Sequence, residues 1–227
     1  MDGRWLLLET SEVARAGLAL DGDVVASVAL PKGREHNRAL VPTVGGLLEQ
    51  RRWKVAELSG IAVGIGPGSY TGLRIGLMLA KTLAYATGCK IVAVPTFHWL
   101  AASVDCADEV DVIADALKQT VYAQKFGPAG PLGVRLPTSE LRALKLAAWI
   151  ATVSENQAVT GPGLELHSSA VPATVRTVPS ATVDVFDALV KVARSLPGLS
   201  RDELFSLEPL YVRGSSAEEK AKELALS

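Results

Sequence analysis

Hydrophobic positions in the first thirty residues come in short runs. Residues 5–8 are an apolar run. Residues 16–20 and 24–30 flank Asp21-Gly22-Asp23, whose glycine can take positive φ and so predicts a tight turn. The three runs read as a β-meander. From Glu35 to about Trp53 the period lengthens, with Leu40, Val44, Leu47 and Leu48 at helical spacing. Pro42 removes a backbone donor there, which predicts a kink or a late start. A buried-type strand at 60–65 follows, then a glycine-rich loop, a helix from about Thr71 to Ala86, and a short strand at 90–94 that Pro95 ends.

The second half repeats this order. Residues 110–114 and 120–126 read as a hairpin. Residues 138–152 read as a helix with Thr138 as N-cap, and 158–161 as a strand. Residues 183–196 read as a helix that Pro197-Gly198 stops. Gly64-Ile65-Gly66-Pro67-Gly68 and Val159-Thr160-Gly161-Pro162-Gly163 each follow a strand, an echo that suggests a duplicated α/β lobe. The expected division is 1–104 for an N-terminal lobe and 105–227 for a smaller C-terminal lobe with a tail. From Ser215 the tail is charged and is expected to be solvated.

Composition narrows the classes. The 227 residues carry 23 basic and 24 acidic side chains, a formal charge of −1, so a chain that grips nucleic acid unaided is not expected. Cys89 and Cys106 are the two cysteines, with no CxxC spacing, which points to a reducing compartment. The most apolar long stretch, residues 73–86, is interrupted by Arg74, Gly76 and Lys81 and is too short to span a bilayer. The N-terminus lacks the pattern of a signal peptide. A soluble cytoplasmic protein, not associated with membranes, is the expectation.

The richest stretch is Gly66-Pro67-Gly68-Ser69-Tyr70-Thr71-Gly72-Leu73-Arg74-Ile75-Gly76. A strand feeds it and a helix leaves it, the setting in which backbone N–H groups attract anions. It matches neither GxxxxGK[ST] nor GxGxxG. A tight turn capped by Ser69 or Thr71 and an anion or nucleotide contact at Gly66, Gly68, Ser69 and Thr71 both remain open. Along the helix, Gly72, Gly76 and Ala80 lie four apart on one face. They let another backbone approach closely, either inside the same lobe or across a subunit interface.

This eleven-residue run closely resembles the signature of the TsaB (YeaZ) family. Arg34-Glu35-His36, the strand at 61–65, Ile91 to Thr96, Asp115-Ala116 before Val121-Tyr122, and Glu208-Pro209-Leu210-Tyr211-Val212-Arg213 resemble further family landmarks in family order. The resemblance covers most of residues 4–213 and is weakest from about 127 to 200. It implies an α/β, actin-like ATPase (ribonuclease H-like) fold of two lobes, each a mixed sheet with flanking helices. It also implies a partner subunit for making threonylcarbamoyladenosine in tRNAs that read codons beginning with adenine. The implied partners are a TsaD-like catalytic subunit, bound as a heterodimer, and a TsaE-like ATPase, with tRNA held only through the complex. An isolated subunit with an apolar face can also form a homodimer. The family contact uses first-lobe helices, so the interface residues expected here are Leu40, Val44, Leu47, Tyr70, Gly72, Leu73, Gly76, Leu77 and Ala80.

Two positions depart from the pattern. Nucleotide-binding relatives carry Asp in the first strand turn, where this chain reads Leu8-Glu9-Thr10-Ser11. The family's Asp-Ala-Arg is here Asp115-Ala116-Leu117. Catalytic relatives hold a metal with His-x-x-x-His on a helix, two imidazoles sharing one helical face. The matching positions are Thr96 and Leu100, with His98 alone between Phe97 and Trp99. There is no GxSxG elbow, and the acidic cluster Asp105, Asp108, Glu109 and Asp111 reads as a solvated loop. No catalytic residue, metal or cofactor is therefore expected, with Asp115 the best single carboxylate candidate. The competing reading is an ATP-dependent phosphotransferase on the same fold.

Overall fold

The computed structural model describes residues 1–31, 36–130, 132–178 and 185–212. Arg34, Glu35 and Arg213 of the family landmarks, and the tail from Ser215, lie outside the described residues.

The first lobe opens with β1 (Arg4–Glu9), β2 (Arg15–Leu20) and β3 (Asp23–Ala29), an antiparallel meander. Asp21 and Gly22 both take positive φ at the second turn, 52° and 91°, as a two-residue hairpin demands. α1 (His36–Gln50) continues through Pro42. β4 (Leu58–Gly64) then lies parallel to β1, α2 (Tyr70–Thr87) crosses back, and β5 (Lys90–Val94) lies parallel to β4. α2 is capped by Ser69, whose hydroxyl accepts from Gly72 N–H, and ends at Gly88, φ 76°. α3 (Thr96–Ala102) leads into the second lobe.

The second lobe repeats the first. β6 (Val110–Asp115), β7 (Thr120–Phe126) and β8 (Arg142–Lys145) form a meander. α4 (Leu146–Ile150) follows, and β9 (Ala158–Thr160) lies parallel to β6. α5 (Gly163–His167) precedes β10 (Arg176–Thr177), which lies parallel to β9. The strand orders are β3-β2-β1-β4-β5 and β10-β9-β6-β7-β8, the same path traced twice. Gly66 and Gly161 occupy matching turns with φ of 103° and 106°, which only glycine adopts cheaply. This duplicated mixed sheet is the actin-like architecture implied by the resemblance.

Side-chain alternation sorts the layers. From β1, Leu6 and Leu8 enter the core under α1 and α2, while Trp5 and Leu7 enter the core shared with α3 and α6 (Val185–Ala193). That second core also takes Val110, Val112 and Phe126, so α3 and α6 join the two lobes.

Two expectations differ from this structure. The helix expected at 138–152 is a strand over Arg142–Lys145 followed by the short α4. Pairing with the edge of β7 overrides the helix propensity of a Leu- and Ala-rich stretch. And residues 185–212 do not belong to the second lobe. α6 packs on β3, β4 and β5, Leu199 bridges to Ile91, and Leu204 is buried in the first-lobe core.

Candidate functional site

A cleft of about 750 Å³ lies between the lobes. Ser11, Glu12 and Arg15 line it from the β1–β2 turn, and Pro67 to Thr71 from the glycine-rich loop. Opposite are Ala114 to Lys118 at the end of β6, with Pro162 and Leu166 from the matching glycine turn. Leu117, Lys118 and Gln119 all take positive φ, an arrangement that costs each non-glycine residue roughly 1–2 kcal/mol.

Much of the hydrogen-bonding capacity of the glycine-rich loop is spent within the lobe. Gly66 N–H donates to Thr96 Oγ1 at 3.2 Å, Ser69 N–H to Ser11 O at 2.6 Å, and Gly72 N–H to Ser69 Oγ at 3.2 Å. Of the four expected anion contacts, Gly68, Ser69 and Thr71 line the cleft and Gly66 does not. Gly68 is a glycine because a Cβ there would fall closer than 3.0 Å to Ser11.

Glu9, at the end of β1, is bonded to two residues that line the cleft, Ser11 and Trp99. Its carboxylate is 1% exposed, accepts Ser11 N–H at 2.7 Å on Oε1 and Trp99 Nε1–H at 2.6 Å on Oε2. Gly64 leaves the room this side chain needs. The methylene by which Glu exceeds the Asp expected of nucleotide-binding relatives thus carries the carboxyl to an indole on α3.

Asp115 faces the cleft with His167 behind it, Nε2 to Oδ1 3.1 Å. Sequence reasoning missed this pair, because α5 comes 52 residues later and carries no motif. Thr96 and Leu100, where the resemblance places the imidazole pair of catalytic relatives, are buried and line the cleft from α3. Among the described residues, no three His, Cys, Asp or Glu side chains gather as a metal site. His98 packs edge-on against Phe126 at 5.3 Å, and burial lowers its pKa. Asp111, expected in a solvated loop, is 1% exposed within β6. It accepts Trp149 Nε1–H at 3.0 Å, and burial pushes its pKa up to about 6. Like Glu9, it gives a buried carboxylate to an indole N–H, but near the start of its strand and with the indole on α4.

The expected interface residues are mostly turned inward. Leu40, Val44, Leu47, Gly72, Leu73, Gly76, Leu77 and Ala80 are buried in their own lobe. A Cβ on Gly72 or Gly76 would fall closer than 3.0 Å to Thr10, so the small-residue face seats α2 on the end of β1. A spacing of four puts residues on one face without saying which face is outermost. Tyr70 alone of the nine is exposed, beside Arg74, whose guanidinium lies 4.5 Å over its ring. The outward surface of the two helices is instead Val41, 59% exposed, Met78, 65%, and Tyr85, 54%. A Cβ at Gly45 or Gly46 of α1 would meet nothing within 4 Å. Among the described residues no helix is long and apolar enough to cross a membrane.

Residues 24–140 match the family model described as TsaD: tRNA N6-adenosine threonylcarbamoyltransferase. The chain is 38% identical over 120 residues to the tRNA threonylcarbamoyladenosine biosynthesis protein TsaB of Bacillus subtilis, covering 52% of each chain. It is 33% identical over 99 residues to the TsaB of Escherichia coli, covering 43% of this chain and 42% of the other. The chain thus spans about half or less of these relatives' lengths. The solved structure of YeaZ from Pseudomonas aeruginosa superposes with a TM-score of 0.74 at 22% identity, over 92% of this chain and 99% of the other, which is likeness of fold.

Proposed function

Since this chain belongs to the TsaB (YeaZ) family and fits the TsaD family model over residues 24–140, we propose that it is a non-catalytic partner subunit in the formation of threonylcarbamoyladenosine in tRNA. In this reading it pairs with a TsaD-like catalytic subunit in the cytoplasm. A TsaE-like ATPase joins the assembly, and tRNA is held through the complex.

The observation that carries the proposal is the outer face of α1 and α2. Both helices complete their own core with Leu40, Val44, Leu73 and Leu77, yet still point Val41, Met78 and Tyr85 at water. Gly45 and Gly46 leave α1 bare enough for a second helix backbone to approach. Exposed large apolar side chains on two helices that pack against each other favour a docking surface over an ordinary solvent face. A relative of the same fold has a helix pair in the same place, so the two can meet in a pseudo-two-fold contact.

The spent amides of the glycine-rich loop, the engaged Glu9 and the Thr96–Leu100 pair favour a subunit that performs no chemistry of its own. Size-exclusion chromatography with light scattering tests the pairing. The expected result is a one-to-one complex with the TsaD-like protein from the same cell. Separate elution at micromolar concentration contradicts it.

A further inference from the structure

We infer that residues 199–212 form a third ridge of the docking surface, anchored by Phe205, and this rests on the pairing proposed above. The segment starts at the free edge of β5, where Leu199 N–H donates to Ile91 O at 2.7 Å. Leu204 turns inward, 4% exposed, and joins the core under α2. The chain then runs beside α2 in the opposite direction. At one end Phe205 meets Tyr85 edge-on at 6.1 Å, and the Arg201 guanidinium lies 4.5 Å over the Tyr85 ring. At the other end Tyr211 lies 5.1 Å from Tyr70 and its hydroxyl accepts from Arg74 Nε at 3.1 Å. Leu210 N–H donates to Ile65 O at 2.8 Å, which fixes this end beside the glycine-rich loop.

The segment is therefore seated along its length by backbone bonds and a buried leucine. Of its exposed large apolar side chains, Phe205, Leu210 and Tyr211, Phe205 stands out farthest, 73% exposed, immediately after the buried Leu204. α1 packs on β2, α2 chiefly on β4, and this segment at the edge of β5, so three ridges lie side by side. Phe205 touches Tyr85 and so continues the exposed apolar surface of α2 without a break. That continuity assigns it the same occupant, the catalytic relative. The matching surface on that partner is an apolar pocket for a phenyl ring, with an acceptor facing Arg201. Aromatic and Arg side chains of this kind dominate binding energy when an interface covers them.

The test uses the full chain with Phe205→Ser. The ring is exposed, so circular dichroism and melting temperature should match the wild type. Affinity for the catalytic relative, measured by calorimetry, should fall about tenfold to hundredfold. Hydrogen exchange of the wild-type chain should show residues 200–211 gaining protection in the complex, a readout that needs no variant should Phe205→Ser melt early. A variant that pairs as tightly as the wild type, with no new protection, overturns the inference and leaves the pairing standing. Failure of the wild type to pair at all removes both. Self-association that Phe205→Ser abolishes, with pairing unaffected, would assign the ridge to a second copy of this chain and overturn it too.

Discussion

The indole N–H of Trp99 donates to the Glu9 carboxylate at 2.6 Å, with both side chains buried. Glu9 ends the first strand and Trp99 sits on the helix that leads to the second lobe, so one bond ties the end of β1 to the junction of the lobes. The other carboxylate oxygen holds the Ser11 amide, and Ser11 O in turn accepts Ser69 N–H. The end of β1 and the glycine-rich loop are thereby held together by the chain's own groups.

Glu9→Ala should accordingly be costly. It leaves an indole N–H and a backbone N–H buried without acceptors, each worth about 1–3 kcal/mol, so a loss of roughly 3–4 kcal/mol is expected. Urea denaturation followed by tryptophan fluorescence measures it. A loss below about 1 kcal/mol would mean that the pairing contributes little.

Asp111 predicts a pH dependence. Burial raises its folded-state pKa from 3.8 to about 6, against the opposing pulls of Trp149 and Lys125. The folded state therefore holds this proton more tightly than the unfolded chain does. The contribution is fully present below pH 3.8 and is lost as pH rises through about 6, in total about 3 kcal/mol. Asp111→Asn keeps an acceptor for Trp149 and cannot ionise. Unfolding free energies of the two proteins should diverge between pH 4 and pH 7, the wild type declining relative to the variant. Parallel pH profiles would sink this account of the residue.

Gly76→Leu should lower the melting temperature before it affects any partner. Its side chain would enter the space of Thr10 at the end of β1, and overpacking of this kind costs about 1–3 kcal/mol or more. Met78→Glu, on the exposed side of the same helix, should melt like the wild type and fail to pair. Thermal melts of both variants, followed by chromatography with the partner, separate the two faces. A stable Gly76→Leu protein that fails to pair would restore the glycine face as the interface.

Much of the sheet framework was legible because short apolar runs such as residues 16–20 and 24–30 are bounded by turn residues, and the turn at Asp21-Gly22 carries its own chemistry. The repeated Gly-Pro-Gly turn likewise pointed to the duplication that the strand orders display. Residues 138–152 misled because Leu-Arg-Ala-Leu-Lys-Leu favours helix locally, and only the edge of β7 makes it a strand. The site was less legible. Gly72 and Gly76 mark a close approach, but Thr10, which they approach, is distant in sequence. Asp115 finds His167 across 52 residues, and Tyr85 finds Phe205 through a segment with no periodic pattern. The outward stripe at Tyr70, Arg74, Met78 and Tyr85 follows helical spacing, and polar members such as Arg74 and Lys81 mark that side as the solvent face.

The most direct measurement of the central claim is reconstituted threonylcarbamoyladenosine formation on tRNA, with the catalytic relative and its ATPase, in the presence and absence of this chain. The account predicts that product forms only when the chain is present in stoichiometric amount. Met78→Glu should abolish it, Asp115→Asn should leave it unchanged, and the chain alone should not hydrolyse ATP. Full product without the chain, or ATP turnover by the chain alone that Asp115→Asn removes, would contradict the account and favour an enzyme.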